Sequence, residues 1–217
     1  MTPAVTRRAG ALAVVAAALA AGACAMRSPG RSLLLAAKTG DSRAAEAALR
    51  AGASVHERDP DGWTPLLWAA AHGDRRTLDV LLGAGASLRD ATPRKGQDAL
   101  ILAAQWNRAE VVADLLRRGA DPARRDAIGW TALLWASLKG RADVVKVLLD
   151  GGVSPSQTDP AGNTALMLAA RQGRAETVRL LLARGAGRAA RNADGDTAAG
   201  LAARAGYKDL AAEIGGR

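Results

Sequence analysis

The sequence of 217 residues predicts an all-α repeat protein in which pairs of short helices stack in a row. Three observations support this fold class. Glycines recur along the chain at a nearly constant interval, the segments between them carry apolar residues at helical spacing, and few segments are rich in β-branched or aromatic residues. The chain contains no Phe and a single Tyr, so Ala and Leu must supply most of the core and a sheet-based fold is disfavoured.

The glycine spacing defines the repeat and its length. Successive members of each of three series lie 33 residues apart, except for one step of 34 in each series. The series are Gly40, Gly73, Gly140, Gly173 and Gly206, with Asn107 in the one missing place; Gly52, Gly85, Gly119, Gly152 and Gly185; and Gly62, Gly96, Gly129, Gly162 and Gly195. One residue inserted between Gly85 and Gly96 explains all three longer steps, so the period is a true internal repeat.

The period that starts at Thr64 shows how each repeat is built. Thr64 is a good N-cap, and Pro65 suits the first helical turn, where its missing N–H costs nothing. The first helix is expected to end near Gly73. A second helix, Asp74–Ala84, is expected to end at Gly85, because glycine tolerates the left-handed conformation that closes helices. The remainder of the period then crosses to the next helix pair as an extended finger.

These periods resemble those of the ankyrin family, which has a 33-residue period and a T-P-L-H-x-A motif. The matching segments are TPLLWA at 64–69, TALLWA at 131–136 and TALMLA at 164–169. The resemblance covers about residues 31–216. It implies an ankyrin solenoid of about six helix-turn-helix repeats joined by extended fingers. It also implies protein–protein recognition without a cofactor.

The sequence departs from the family pattern at the motif histidine, which is absent from every repeat. In the family this residue hydrogen-bonds between neighbouring repeats. Leu67, Ile101, Leu134 and Met167 occupy its place in this sequence. Apolar packing is therefore expected to replace that hydrogen bond.

The first 25 residues have the features of a secretory signal peptide. Arg7 and Arg8 precede an uncharged apolar run over residues 9–23, and small residues suited to cleavage follow it. The run is short for a membrane-spanning helix, which needs about 20 apolar residues. The sequence therefore predicts export to the periplasm, followed by a mature domain over residues 31–217.

Cys24, the only cysteine, falls at the expected cleavage point. The segment that ends there resembles the lipobox of bacterial lipoproteins, although Ala21 stands where Leu is usual. Two outcomes stay open: lipidation of Cys24, or its removal with the signal peptide. A lipid on Cys24 is the only membrane attachment expected, and a disulfide framework is excluded. A monomer is expected.

The sequence offers no set of residues suited to catalysis or to metal binding. His56 and His72 are the only histidines, and both are expected to be solvated surface residues without a partner ligand. The net charge of +9 includes three arginines in the first 27 residues, and acidic residues interleave with basic ones elsewhere. We therefore expect neither an enzyme nor a nucleic-acid-binding protein.

The tryptophans are the candidate partner-binding residues. Five of them, and two leucines at the variable position of the motif, map to the inner groove and the fingers: Trp63, Trp68, Trp106, Trp130, Trp135, Leu102 and Leu168. Partner contact is the favoured interpretation for Trp68, Trp106 and Trp135, because Trp is enriched at interface hot spots. For Trp63 and Trp130, packing beneath the fingers is an equal alternative.

The fingers also carry many basic residues. Those considered as a stripe that steers an acidic partner are Arg58, Arg89, Arg94, Lys95, Arg124, Arg125, Arg188 and Arg191. Scattered, solvated charge is the favoured interpretation, because neighbouring carboxylates neutralise much of this charge.

The sequence thus predicts a non-catalytic protein-binding module of the bacterial envelope, with an unknown protein partner. Two alternatives stay open. One is an immunity-type inhibitor that neutralises a toxin or an enzyme in the periplasm. The other is a structural envelope lipoprotein that tethers other components.

Overall fold

A computed structural model describes residues 28–216, which form twelve helices arranged as six antiparallel pairs. The helices are α1 (Pro29–Thr39), α2 (Ser42–Arg50), α3 (Pro65–His72), α4 (Arg75–Gly83), α5 (Ala99–Gln105), α6 (Ala109–Arg117), α7 (Ala132–Lys139), α8 (Ala142–Asp150), α9 (Ala165–Arg171), α10 (Ala175–Ala183), α11 (Ala198–Arg204) and α12 (Lys208–Gly215). The predicted all-α repeat fold is confirmed. The predicted signal peptide, including Cys24, lies outside the described residues.

The pairs stack in sequence order and form one continuous core. We call the first helix of each pair the inner helix and the second the outer helix. Successive inner helices make more extensive contacts than successive outer helices, so the stack curves and the inner helices line its concave side. Buried alanines such as Ala69, Ala103, Ala136 and Ala169 allow this close approach.

The residues in place of the motif histidine are fully inside the core. Leu67 and Leu134 have no exposed surface, and Ile101 and Met167 are 1% exposed. Apolar packing therefore occupies the position of the expected inter-repeat hydrogen bond, as the sequence predicted.

The inner helices after the first begin with polar N-cap residues in extended conformation, and the predicted N-cap Thr64 is among them but lacks the expected side-chain bond. The hydroxyl of Thr164 accepts a hydrogen bond from the Met167 N–H (3.3 Å), and the Asp98 carboxylate accepts one from the Ile101 N–H (2.9 Å). Thr64 occupies the same position, yet its buried hydroxyl makes no capping bond. The start of α3 is instead favoured by Pro65, whose ring presets the helical φ angle.

The glycines that end the inner helices also make room for the next repeat. Gly73 (φ 85°) and Gly140 (φ 69°) are left-handed, and a Cβ on either would lie 2.6–2.7 Å from Cδ of an arginine in the following repeat. That arginine, Arg108 in the first case, donates from Nε to the Ala71 carbonyl (3.1 Å). Glycine is therefore favoured at these positions by its φ angle and because a Cβ would force the neighbouring arginine side chain to shift.

The fingers are turns with very little strand pairing. Within residues 28–216, backbone pairing of the strand type is limited to two isolated bridges, Ala91 with Asp98 and Thr158 with Thr164. The inserted residue lies in the finger that contains the first bridge. There the Thr92 N–H donates to the Gln97 carbonyl (2.9 Å). The insertion therefore lengthens one finger and leaves the helix stack unchanged.

Ion pairs join the outer helices, where packing is looser. Arg75 of α4 donates from Nε to Asp114 of α6 (2.7 Å) and from Nη1 to Glu110 (3.0 Å). Arg179 of α10 makes a similar pair with Glu213 of α12 (2.8 Å). Exposed pairs contribute little individually, but Asp114 is buried and needs its partner.

Candidate partner-binding surface

A buried aspartate organises each of the two tryptophan-bearing fingers. Asp59 accepts backbone N–H bonds from Asp61 (3.0 Å) and Trp63 (2.9 Å) through Oδ1, and the indole N–H of Trp68 (2.9 Å) through Oδ2. Lys38 of the preceding repeat completes the cluster with Nζ 2.8 Å from Asp59 Oδ2. One carboxylate therefore fixes the finger turn, the inner helix and the adjacent repeat.

The same arrangement recurs two repeats later. Asp126 accepts the backbone N–H bonds of Ile128 (3.1 Å) and Trp130 (2.9 Å), and the indole N–H of Trp135 (2.8 Å). The sequence contained this signal, because an Asp is followed by Trp at four and nine residues in both repeats. The expectations from the sequence did not connect either aspartate to a tryptophan.

The four tryptophans of these fingers form two ring pairs. The ring centroids of Trp63 and Trp68 lie 4.5 Å apart, and those of Trp130 and Trp135 lie 4.9 Å apart. All four side chains are half-buried, and the N–H groups of Trp68 and Trp135 are already bonded inside the chain. The pairs therefore brace the fingers against the inner helices and leave only one part of each ring at the surface.

Charge and stacking further fix Trp68. Lys38 Nζ lies 4.5 Å from the Trp68 ring centroid, and His72 stacks on Trp68 with ring centroids 5.7 Å apart. Burial acts to raise the pKa of Asp59, but the bonds from Lys38, Trp63 and Trp68 outweigh it, so its pKa lies below the ordinary value. His72 is exposed as expected, although it is packed against an aromatic ring rather than freely solvated.

Leu102 and Leu168 are a correction to the predicted surface. Each is 1% exposed and belongs to the core, so neither side chain is available to a partner. They share a repeat position with Trp68 and Trp135, but a leucine is short enough to be enclosed by neighbouring repeats. Leu35, at the same position in the first described repeat, is 62% exposed because no helix pair precedes it in the described chain.

Trp106 is the most exposed tryptophan, with 56% of its surface accessible. It directly follows α5 and precedes Asn107, which is left-handed with φ 59°. Ile128 is equally exposed, at the tip of the finger that carries Asp126. Sequence reasoning missed Ile128, although a large apolar residue in a turn otherwise occupied by polar residues was a usable signal.

Several finger arginines stabilise the fingers themselves. Arg58 donates to the Gly62 carbonyl (2.7 Å), Arg125 to the Gly129 carbonyl (2.6 Å) and Arg191 to the Gly195 carbonyl (2.6 Å). Because these guanidinium groups close their own turns, the bases considered as a steering stripe are in part structural. Neither a stripe that steers an acidic partner nor scattered, solvated charge therefore fully describes these three arginines.

Metal binding requires clustered ligand side chains, and a membrane span requires a long apolar helix. Within residues 28–216, no group of three or more His, Cys, Asp or Glu side chains is placed to hold a metal ion. None of the helices in the same range is long and apolar enough to cross a membrane.

Comparison with protein families identifies this repeat. A family model described as "Ankyrin repeats (3 copies)" matches residues 33–126 and 133–214, which is most of the chain. No curated protein matches the sequence.

Proposed function

The chain belongs to the ankyrin-repeat family, and from this we infer that it is a non-catalytic module that binds a protein partner. Ankyrin repeats generally mediate protein–protein interaction and are typically non-catalytic. The proposed binding surface, which we call the inner face, consists of the exposed side chains of the inner helices and of the residue that follows each of them. The finger tips extend this surface.

The exposure of Trp106 carries this proposal. A large aromatic ring that is 56% exposed near the middle of the stack offers apolar surface that a partner can cover. Tryptophan is also the residue most often found as a binding hot spot. Ile128 and the half-buried ring pairs add apolar area on either side of it.

A truncation of the Trp106 side chain tests this role. Trp106→Ala is expected to weaken capture of the partner from an envelope extract by about tenfold or more, because hot-spot truncations cost about 2 kcal/mol or more. The melting temperature should change little, since the ring has few internal contacts. Lys146→Ala, an exposed change on outer helix α8, is the matched control. Equal capture by both variants would count against the proposal.

We further propose that the protein acts in the bacterial envelope. The support is the leader-like composition of residues 1–25, with two arginines, an apolar run and Cys24. Cell fractionation should place the mature chain in the periplasm. Labelling with a fatty-acid precursor, compared between the wild type and Cys24→Ser, then decides between lipidation and removal of Cys24. A chain that stays full-length in the cytoplasm would refute the envelope assignment.

A further inference from the structure

Acidic residues are completely segregated from the inner helices. The six inner helices contain five basic residues, Arg31, Lys38, Lys139, Arg171 and Arg204, and no Asp or Glu. All 21 acidic residues of the chain lie in the fingers, in the outer helices or in the loops and caps that join them. The inner helices of the described stack therefore present charge of a single sign.

Three of these cations are exposed and have no side-chain partner within residues 28–216. Arg31 lies in the first helix of the stack, and the other two, which we call the free cations, are Lys139 and Arg171. Lys38 is engaged with Asp59 and Trp68, and Arg204 pairs with Asp196. Lys139 and Arg171 are exposed, and neither makes a side-chain hydrogen bond or an ion pair within residues 28–216. Both belong to repeats that follow the repeat of Trp106.

Position in the repeat places the free cations beside the exposed ring. Trp106 and Lys139 occupy the same position in consecutive repeats, at the C-terminal ends of inner helices α5 and α7. Arg171 ends α9, the next inner helix along the stack. Packed helices lie roughly 8–10 Å apart, so an apolar contact and two positive charges follow one another at that interval.

We propose that the inner face binds an extended, acidic segment of another protein, with an apolar side chain against Trp106 and carboxylates at Lys139 and Arg171. An extended chain advances about 3.3 Å per residue, so consecutive contacts fall on about every third residue of the segment. This inference rests on the proposed function and adds the chemistry of the partner. Charge complementarity of this kind sets the association rate and excludes wrong partners.

Other occupants of the inner face fit its charge less well. The outer helices with their capping residues carry 13 basic and 11 acidic residues, so a second copy has no strongly acidic helical surface to offer. Residues 1–27 contain three arginines and no acidic residue, which excludes charge complementarity with the inner face. A nucleic acid would need a longer row of free cations, and the exposed carboxylates of Asp61 and Asp194 on the fingers would repel its phosphates.

Selection from a peptide library tests the predicted chemistry. Random 12-residue peptides displayed on phage are selected on the full-length chain, and the enriched peptides are synthesised for affinity measurements. We expect enrichment of Asp and Glu together with an aromatic or aliphatic residue about three positions away. Binding should weaken steeply as salt increases, because both free cations are exposed.

Matched charge reversals then assign the binding to the inner face. The variant with Lys139→Glu and Arg171→Glu is expected to bind the selected peptides about tenfold more weakly, or worse. The control with Arg76→Glu and Lys146→Glu makes the same charge change on exposed outer-helix residues and should bind like the wild type. A carboxylate at the end of α9 is also unfavourable for the helix dipole. The comparison is therefore repeated with alanine in place of Lys139 and Arg171, and with alanine in place of Arg76 and Lys146.

Several results would overturn the inference. These are selected peptides that are neutral or basic, equal weakening by both charge-reversal variants, or tighter binding of a 20-nucleotide oligo(dT) or of phosphatidylglycerol vesicles than of any selected peptide. If neutral peptides are selected and Trp106→Ala abolishes their binding, the proposed function stands and only the acidic partner is wrong. If no peptide is selected and no partner is captured, both proposals fail.

Discussion

Asp59 shows how much of a finger can depend on one side chain. It is 7% exposed, yet it accepts two backbone N–H bonds and an indole N–H, and it pairs with a lysine from the preceding repeat. Its pKa is lowered because these donors together outweigh the cost of burial. A lowered pKa in the folded state means that ionised Asp59 stabilises the fold above its ordinary pKa and that this stability is lost as the pH falls below it.

The pH dependence of unfolding should report on this carboxylate. The difference in unfolding free energy between the wild type and Asp59→Asn is expected to be constant at neutral pH and to shrink as the pH falls through about 3.8, the ordinary pKa. Lys38→Gln removes one of the causes of the lowered Asp59 pKa. It should therefore remove only some of the pH dependence of the unfolding free energy that Asp59 contributes. Urea unfolding between neutral pH and about pH 3 measures all three chains. A difference that does not change with pH would contradict the assigned pKa direction.

The burial and the bonds of several candidate side chains could not be predicted from the sequence. Repeat register placed Trp68 and Leu102 in equivalent positions, but burial depends on side-chain length and on the neighbouring repeats. Trp68 and Trp135 bond to their finger aspartates only because the finger folds back onto the inner helix, and the sequence alone does not show this contact. Trp106 differs, because its predicted place in the inner groove agrees with its exposed position in the structure.

At the scale of the elements, the glycine series fixed the helix boundaries almost completely from the sequence. The inner helices end at or just before the predicted positions, and Asn107 replaces one glycine without changing the turn. What the sequence did not reveal is that some of these glycines also make space. An arginine of the next repeat lies directly against Gly73 and Gly140, and such a contact depends on how the repeats stack.

Two alanine substitutions separate the two requirements on glycine. Gly140 has φ 69° and a neighbouring side chain where a Cβ would lie, whereas Gly152 has φ 84° and open space around it. Gly152→Ala should cost about 1–2 kcal/mol, the usual penalty of a left-handed alanine. Gly140→Ala should cost more, because Arg174 must also move and its bond to the Leu138 carbonyl weakens. Chemical denaturation of both variants tests this order, and a larger loss for Gly152→Ala would contradict it.

At the scale of the whole molecule, the extensive helix contacts within residues 28–216 are those within a pair and between adjacent pairs. Each helix pair packs on its neighbours, so stability is close to a sum over repeats and interfaces, and the ends open first. The last outer helix, α12, is held from outside by Arg188, which donates to the carbonyls of Glu213 (2.9 Å) and Ile214 (2.6 Å). These bonds satisfy two of the carbonyls left open at its C-terminus.

Loss of Arg188 should therefore open one end of the stack only. In hydrogen exchange, Arg188→Ala is expected to speed exchange of the α12 amides several-fold while the α7 amides keep their protection. Arg89→Ala, in a finger near the middle of the chain, is the control. Equal acceleration in α7 and α12 would show that the stack unfolds as one cooperative unit instead.

The overall architecture was therefore predictable because it repeats, whereas the binding chemistry depends on residues that break the repeat. Trp106 and Lys139 are individual choices at one shared repeat position, where other repeats carry different side chains, whereas the position of Arg171 carries Arg again at Arg204. Only the arrangement of the inner helices brings these choices onto one surface.

Site-specific photocrosslinking in living cells tests the central claim, which is that the inner face binds a protein. A photoreactive amino acid replaces Trp106 in one variant and Lys146, on the outer side, in the other. The account predicts a protein adduct from position 106 and none from position 146. An adduct from position 146 alone, or none from either position, would contradict it.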